Sequence, residues 1–182
     1  MIQEFTITIF SENSIGLLNR MTIIFTRRKI NIESLTVSES AIKGIFKFTI
    51  VVNCDHKMVE NLVKQIEKQI DVIRAFYLVE EEILHQEIAM YKIKTSSLLE
   101  TNLIEGIIRR YNARILEMTH DYTVIEKTGH KEETQELFEQ LKPHGVLQFV
   151  RSGRIAITRL KKELLSSYLE NLEKEHRNPA IV

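Results

Sequence analysis

In this chain of 182 residues, the stretch whose residue types best suit a small ligand is Asn13-Ser14-Ile15-Gly16-Leu17-Leu18, where a strand pattern gives way to a helix pattern. A helix opening here presents unpaired backbone N–H groups and the positive end of its dipole, which together suit a carboxylate. Gly16 has no Cβ and lets a ligand approach the backbone. Asn13 can accept a hydrogen bond from an ammonium or donate one to a carboxylate. The same residues also read as an ordinary helix cap, Asn13 or Ser14, and a glycine that relieves a turn. Residue types alone leave both readings open.

Catalytic chemistry has no comparable foothold. The six histidines, 56, 85, 120, 130, 144 and 176, are too far apart for a helix-borne metal pair. Each falls near a turn, linker, helix end or tail and reads as solvated. Cys54 stands where a strand passes into a helix, close to His56. A helix N-terminus can activate a thiolate, but with no orienting partner Cys54 reads as a bystander. Being alone, it forms no intramolecular disulfide and no cysteine-based zinc site. The carboxylates of Glu80-Glu81-Glu82 point in different directions and read as a polar joint, not a cation site. No G-x-S-x-G elbow, phosphate loop or G-x-G-x-x-G is present. The chain reads as no enzyme, with no catalytic residue, no metal and no cofactor of its own.

Charge excludes another class. Lys plus Arg and Asp plus Glu both count 25, so no net field draws the chain to nucleic acid. Arg27-Arg28-Lys29 reads as a helix C-terminal turn that complements the dipole. No apolar stretch reaches the ~20 residues that span a bilayer. The opening MIQEFTITIF alternates like a strand and lacks the pattern of a signal peptide, so no membrane association and a cytoplasmic location are expected.

The elements that position the turn follow from hydrophobic period. Phe5, Ile7 and Ile9 give residues 2–10 the alternation of a half-buried strand. Leu17, Leu18, Met21, Ile24 and Phe25 then have helical spacing. Residues 31–38 form a less regular strand, Lys43-Gly44 a turn, and 45–52 a β-branched and aromatic strand. Asp55 caps a helix bearing Met58, Val59, Leu62, Val63, Ile66 and Ile70, and 72–79 closes the half. The succession β-α-β-β-α-β repeats as a strand at 87–94 and a helix at 98–111 bearing Leu98, Leu99, Leu103, Ile104, Ile107 and Ile108. A hairpin at 113–128 turning at His120-Asp121, a helix at 131–141 ended by Pro143 and Gly145, and β structure at 146–150 and 154–158 complete it. The fold class is α+β: two consecutive ferredoxin-like βαββαβ domains plus a C-terminal helix. The domains are 1–80, a linker at 81–84, 85–159, and a helical tail at 160–182. That tail carries Leu160, Leu164, Leu165, Tyr168 and Leu172 and finishes in a loose Arg177-Asn178-Pro179. Each sheet should have one face covered by its two helices, leaving the other face and the edges to find a partner or to carry polar residues.

In this context N-x-x-G-L-L resembles the ligand turn of an ACT domain, an amino-acid-sensing module. Asn31-Ile32-Glu33-Ser34-Leu35-Thr36-Val37 resembles a signature of the acetohydroxyacid synthase (acetolactate synthase) small regulatory subunit. Tyr111-Asn112-Ala113-Arg114-Ile115-Leu116-Glu117, Thr128-Gly129 and Arg151-Ser152-Gly153 resemble that family's second domain in the same order. The resemblance runs from about residue 2 to residue 159. It implies a homodimer formed by ACT domains paired through their second strands, with valine or a related branched-chain amino acid at the junction. Asn13, Ser14, Ile15, Gly16, Leu17 and Leu18 would hold the ligand from one chain, and Asn31 and Ile32 from the other. It also implies a catalytic large-subunit partner carrying thiamine diphosphate, magnesium and FAD. This chain would stimulate that partner and make it sensitive to valine. Ile15 departs from the pattern, since ACT domains often have Pro there. The alternative, a ligand-responsive transcription regulator with an amino-acid-sensing domain, requires a DNA-reading module, and no helix-turn-helix or basic arm is visible.

Overall fold

The computed structural model describes residues 2–100 and 102–177, the last seven as backbone only. Its chain divides into two compact units. One comprises the residues up to Leu84 together with the segment from Ala156 onward; the other runs from His85 to Ile155. The expected loose end at Asn178-Pro179 and the side chain of Leu172 lie outside the described residues.

In the first unit, β1 (Gln3–Glu12), α1 (Leu17–Arg27), β2 (Ser34–Glu39), β3 (Ile45–Cys54), α2 (His56–Ile66) and β4 (Val72–Leu78) follow in chain order. The antiparallel sheet runs β2-β3-β1-β4, so β2 and β4 are its edges. Period-2 alternation puts Phe5, Ile7 and Ile9 on one face, where they pack with Met21, Ile24 and Phe25 of α1 and Val59, Leu62 and Ile66 of α2. Asp55 caps α2 by accepting from the Met58 N–H at 2.9 Å.

Two expectations need correction here. β1 is not half-buried: Thr6, Thr8 and Phe10, on the face away from the helices, are buried as well. That face is covered by the segment from Ala156. Lys47 Nζ donates to the Ala156 carbonyl at 2.8 Å, and Leu165 of α6 (Leu164–Arg177) is fully buried. The amphipathic tail therefore packs on its own unit. Ile70 is not on the α2 face either. The helix stops at Ile66 and Ile70 is 93% exposed, because Gln69 N–H turns back to the Ile66 carbonyl and the chain leaves the helical path before the next turn.

The second unit is built from β5 (Ile83–Lys94), whose first two residues belong to the first unit, α3 (Thr95–Glu100), α4 (Asn102–Arg110), β6 (Arg114–Met118), β7 (Tyr122–Gly129), α5 (Lys131–Leu141) and β8 (Val146–Arg151); β9 (Ile155–Thr158) crosses the boundary and lies in the first unit from Ala156. Its sheet runs β6-β7-β5-β8, with β9 also paired to β5. β5 begins at Ile83, directly after a single 3-10 turn at Glu80–Glu82. Of the helix expected over 98–111, the residues up to Glu100 and from Asn102 to Arg110 are helical, but Leu99 and Leu103 are 74% and 64% exposed. The run contains adjacent apolar pairs (98/99, 103/104, 107/108), and one helix face accommodates only one member of each. Ile104 and Ile108 are the buried members. The hairpin turns at His120-Asp121, with Thr119 N–H donating to the Tyr122 carbonyl at 2.8 Å.

The conspicuous residues of this unit have structural work. Glu126 is buried in β7, pairs with Arg114 and accepts from Thr128 Oγ1 at 2.6 Å. The Thr128 hydroxyl, and then the Arg114 guanidinium, hold its carboxyl below the ordinary value despite burial. A folded-state carboxyl held low stabilises the fold above its unfolded-state value and loses that contribution as pH falls through the folded one. Melting followed by circular dichroism should therefore show wild type losing stability below about pH 4.5, the ordinary range for a glutamate. Glu126→Gln should be less stable at pH 7 by a few °C, with the gap closing on acidification. Gly129 passes so close to Glu133 that an added Cβ would lie 2.6 Å from its carboxylate oxygen. Ser152 closes the end of β8, its N–H donating to the Ile88 carbonyl at 2.8 Å and its hydroxyl accepting from the Ile88 N–H at 2.9 Å.

Candidate functional site

The turn between β1 and α1 is built by backbone geometry more than by side-chain capping. Neither Asn13 nor Ser14 caps the helix, contrary to the sequence expectation. Gly16 takes the N-cap position with φ 80° and ψ −2°, and no side-chain hydrogen bond closes the helix end. Leu17 N–H donates to the Ser14 carbonyl at 3.2 Å. A left-handed residue at that place is the third position of a type II turn, where glycine is favoured. Ile15 fills the second position, the one proline often takes in such turns, and it is fully exposed. The first intrahelical bond is Arg20 N–H to the Gly16 carbonyl at 3.1 Å. The N–H groups of the first turn ahead of it, at Leu18 and Asn19, point out of the helix end with no side-chain cap. This is the arrangement that binds an anion.

Beside the turn lies a depression of about 200 Å³, lined by Glu12, Asn13, Ser14, Gly16, Leu17, Leu18, Val37, Phe46 and Phe48. Five of the eight residues expected to hold a ligand thus converge: Asn13, Ser14, Gly16, Leu17 and Leu18. Leu17 is almost wholly buried and contributes chiefly to the core, whereas Leu18 is 46% exposed. Ile15, Asn31 and Ile32 do not line it. Asn31 is exposed ahead of β2, its amide donating to Glu33 Oε1 at 2.9 Å.

Sequence reasoning missed Glu12, Val37, Phe46 and Phe48. Their apolar members reach the turn through the sheet: Phe46 is paired with Ser11, and Phe48 with Ile9 and Val37. Alternation along β3 was the available signal, but it does not show which turn those rings will face. The depression has an apolar floor, a carboxylate and an amide at its rim, and an open helix end, which is the chemistry of an aliphatic amino acid. An added Cβ on Gly16 would meet nothing within 4 Å, so the space above the backbone is open.

Cys54 is buried, and burial together with the neighbouring Asp55 carboxylate pushes its thiol up. A thiol raised in this way is the opposite of an activated nucleophile. Nearby His56 stacks edge-on with Phe5 and Tyr77 instead, at 6.0 and 5.5 Å between ring centres. Among the described residues no group of three or more His, Cys, Asp or Glu could hold a metal ion. No helix among them is long and apolar enough to cross a membrane.

Two consecutive ferredoxin-like units, the first with a ligand-sized depression at its β1–α1 turn, place the chain in the class of tandem ferredoxin-like α+β proteins. Residues 7–74 match the AHAS small subunit-like ACT domain, and residues 86–160 match the small subunit of acetolactate synthase. The acetolactate synthase small subunit of Bacillus subtilis (strain 168) is 35% identical over 162 residues, 88% of this chain and 94% of the relative. The probable acetolactate synthase small subunit of Methanothermobacter thermautotrophicus is 33% identical over 81% of this chain and 88% of its own length. The crystal structure of the acetolactate synthase small subunit from Thermotoga maritima superposes with a TM-score of 0.79, covering 88% of this chain and 99% of that one. At 24% identity it shows a common fold. The chain belongs to the acetolactate synthase small-subunit family. It is accordingly the regulatory and not the catalytic chain of that enzyme, and the cofactors of the reaction belong to its partner.

Proposed function

We propose that the chain is a feedback sensor: it binds valine or a related branched-chain amino acid at the β1–α1 turn, stimulates the catalytic large subunit, and conveys inhibition to it. The observation that carries this reading is the uncapped helix end at Gly16 standing over an apolar depression. The ligand carboxylate meets the N–H groups of Leu18 and Asn19. Its ammonium meets Asn13 and the Glu12 carboxylate, and its branched side chain rests on Leu18, Val37 and Phe46. Calorimetric titration with valine, leucine and isoleucine tests the reading. Saturable binding of at least one supports it, and no heat from any of the three would overturn it. A cytoplasmic location accords with a biosynthetic role.

The site is completed in a homodimer, in which Asn31 and Ile32 come from the facing chain. The support is topological: β2 is a sheet edge, the place where a second strand can add. Leu35 is half-buried against the unit's own core, so a charge placed there would test folding and not pairing. Ser38 is exposed on the opposite face of β2. Ser38→Glu sets like charges near one another across a two-fold axis, while inside its own chain it stands opposite Lys47 and adds no repulsion. Analytical ultracentrifugation should show a wild-type dimer at micromolar concentration and a dissociation constant raised about tenfold in the variant. A monomeric wild type would contradict the pairing.

A further inference from the structure

The face of the first sheet turned away from α1 and α2 holds a second cavity, of about 270 Å³, between the strands and the segment from Ala156. Phe10, Leu78, Ile83 and Leu164 make its walls mainly apolar, while Lys47, Thr8, Thr158 and Glu163 bring polar groups to it. It is separate from the depression at Gly16, with which it shares no lining residue. The family match ends at residue 160, so Glu163 and Leu164, which close the cavity, come from outside the shared domains.

Two groups of opposite charge, Lys47 and Glu163, line it. Lys47 is half-buried in β3 and gives one of its three N–H donors to the Ala156 carbonyl at 2.8 Å. Burial weakens its hold on the proton, and the Glu163 carboxylate acts in the other direction, which places Glu163 within electrostatic reach of the ammonium. Glu163 itself is exposed and accepts from Ser166 Oγ at 3.1 Å. An ammonium and an exposed carboxylate on the lining of a mainly apolar cavity are together complementary to a zwitterion carrying an aliphatic side chain. A plain fatty acid satisfies Lys47 but is repelled by Glu163, and an aliphatic amine does the reverse.

We propose that this cavity is a second ligand site, taking one small aliphatic amino acid with its carboxylate on Lys47 and its ammonium toward Glu163. The Thr8 and Thr158 hydroxyls supply hydrogen bonds at the carboxylate end, and the side chain lies against Phe10 and Leu164. Occupancy would fasten the tail segment to the sheet, so the site would report amino-acid supply through the order of that segment. It stands or falls independently of the turn at Gly16.

The test is methyl NMR on the full chain, titrated separately with L-leucine, isovalerate and isoamylamine. L-leucine should give saturable shifts at the methyls of Ala156, Ile157 and Leu164, and should bind at least about tenfold more tightly than either half-molecule, since each lacks one charged contact. Glu163→Gln, at an exposed position that does not threaten the fold, should weaken L-leucine about tenfold and leave isovalerate unchanged or improved. Lys47→Met should weaken both carboxylates. No saturable shift at these methyls, isovalerate binding as tightly as L-leucine, or Glu163→Gln without effect would each overturn the proposal. Shifts confined to Leu18 and Val37 would place the ligand at the Gly16 turn alone and would also overturn it.

Discussion

The expected result for Gly16→Asp is loss of measurable valine binding, together with loss of feedback, in a protein that still folds and still stimulates the catalytic chain. Folding survives because the new Cβ meets no atom within 4 Å. The left-handed backbone at φ 80° costs an L-residue roughly 1–2 kcal/mol, and aspartate is among those that tolerate it best. The carboxylate has a further effect: it stands at the open helix end and can take the N–H groups that would otherwise hold the ligand. It also repels the ligand carboxylate, by about 1 kcal/mol at ~4 Å in water and several times that where water is partly excluded. Since 1.4 kcal/mol is about tenfold in affinity, competition and repulsion together remove binding from the accessible range. Gly16→Ala carries the backbone cost without the charge and should bind valine within a few-fold of wild type. Asn31→Ala removes one hydrogen bond without adding repulsion and should fall between Gly16→Ala and Gly16→Asp. Calorimetry on the four proteins gives the ordering, and a Gly16→Asp protein that bound valine like wild type would move the effector site elsewhere.

The order of elements was legible because period 2 and period 3.6 alternate cleanly along this chain, as in Phe5-x-Ile7-x-Ile9 followed by Leu17, Met21, Ile24 and Phe25. The turn was legible too, since Gly16 is the glycine that a left-handed helix entry requires. What escaped were properties that depend on distant partners. Thr6 and Thr8 are polar letters, and nothing local says that a segment 150 residues away will bury them. Ile70 continues the α2 spacing, yet the backbone turns first. The choice between Leu103 and Ile104 is made by packing, not by pattern. At the site, Phe46 and Phe48 become neighbours of Gly16 only through the register of β3 against β1.

The capping of α1 shows the limit most clearly. Asn13 and Ser14 are good capping residues by type, and a cap there would have satisfied the helix end. The structure leaves them free of that duty and gives the position to Gly16. The helix end is then open for a ligand, a distinction that composition cannot make and backbone dihedrals can.

The second large effect falls on the partner chain. A regulatory subunit acts by preferring one state of the enzyme over another, and the shift is limited by that difference in affinity. A preference of 1.4 kcal/mol already changes the population of the active state up to about tenfold. The purified chain alone should therefore show no acetolactate synthase activity, and the cognate catalytic subunit should gain rate severalfold or more as the chain is added, up to saturation. Valine should reverse that gain in the wild-type mixture and leave it in place with Gly16→Asp. The decisive measurement is this reconstitution, with acetolactate formation followed against increasing chain, with and without valine. A saturable rise that valine lowers is the predicted result, and a rate indifferent to the chain at every ratio would contradict the account.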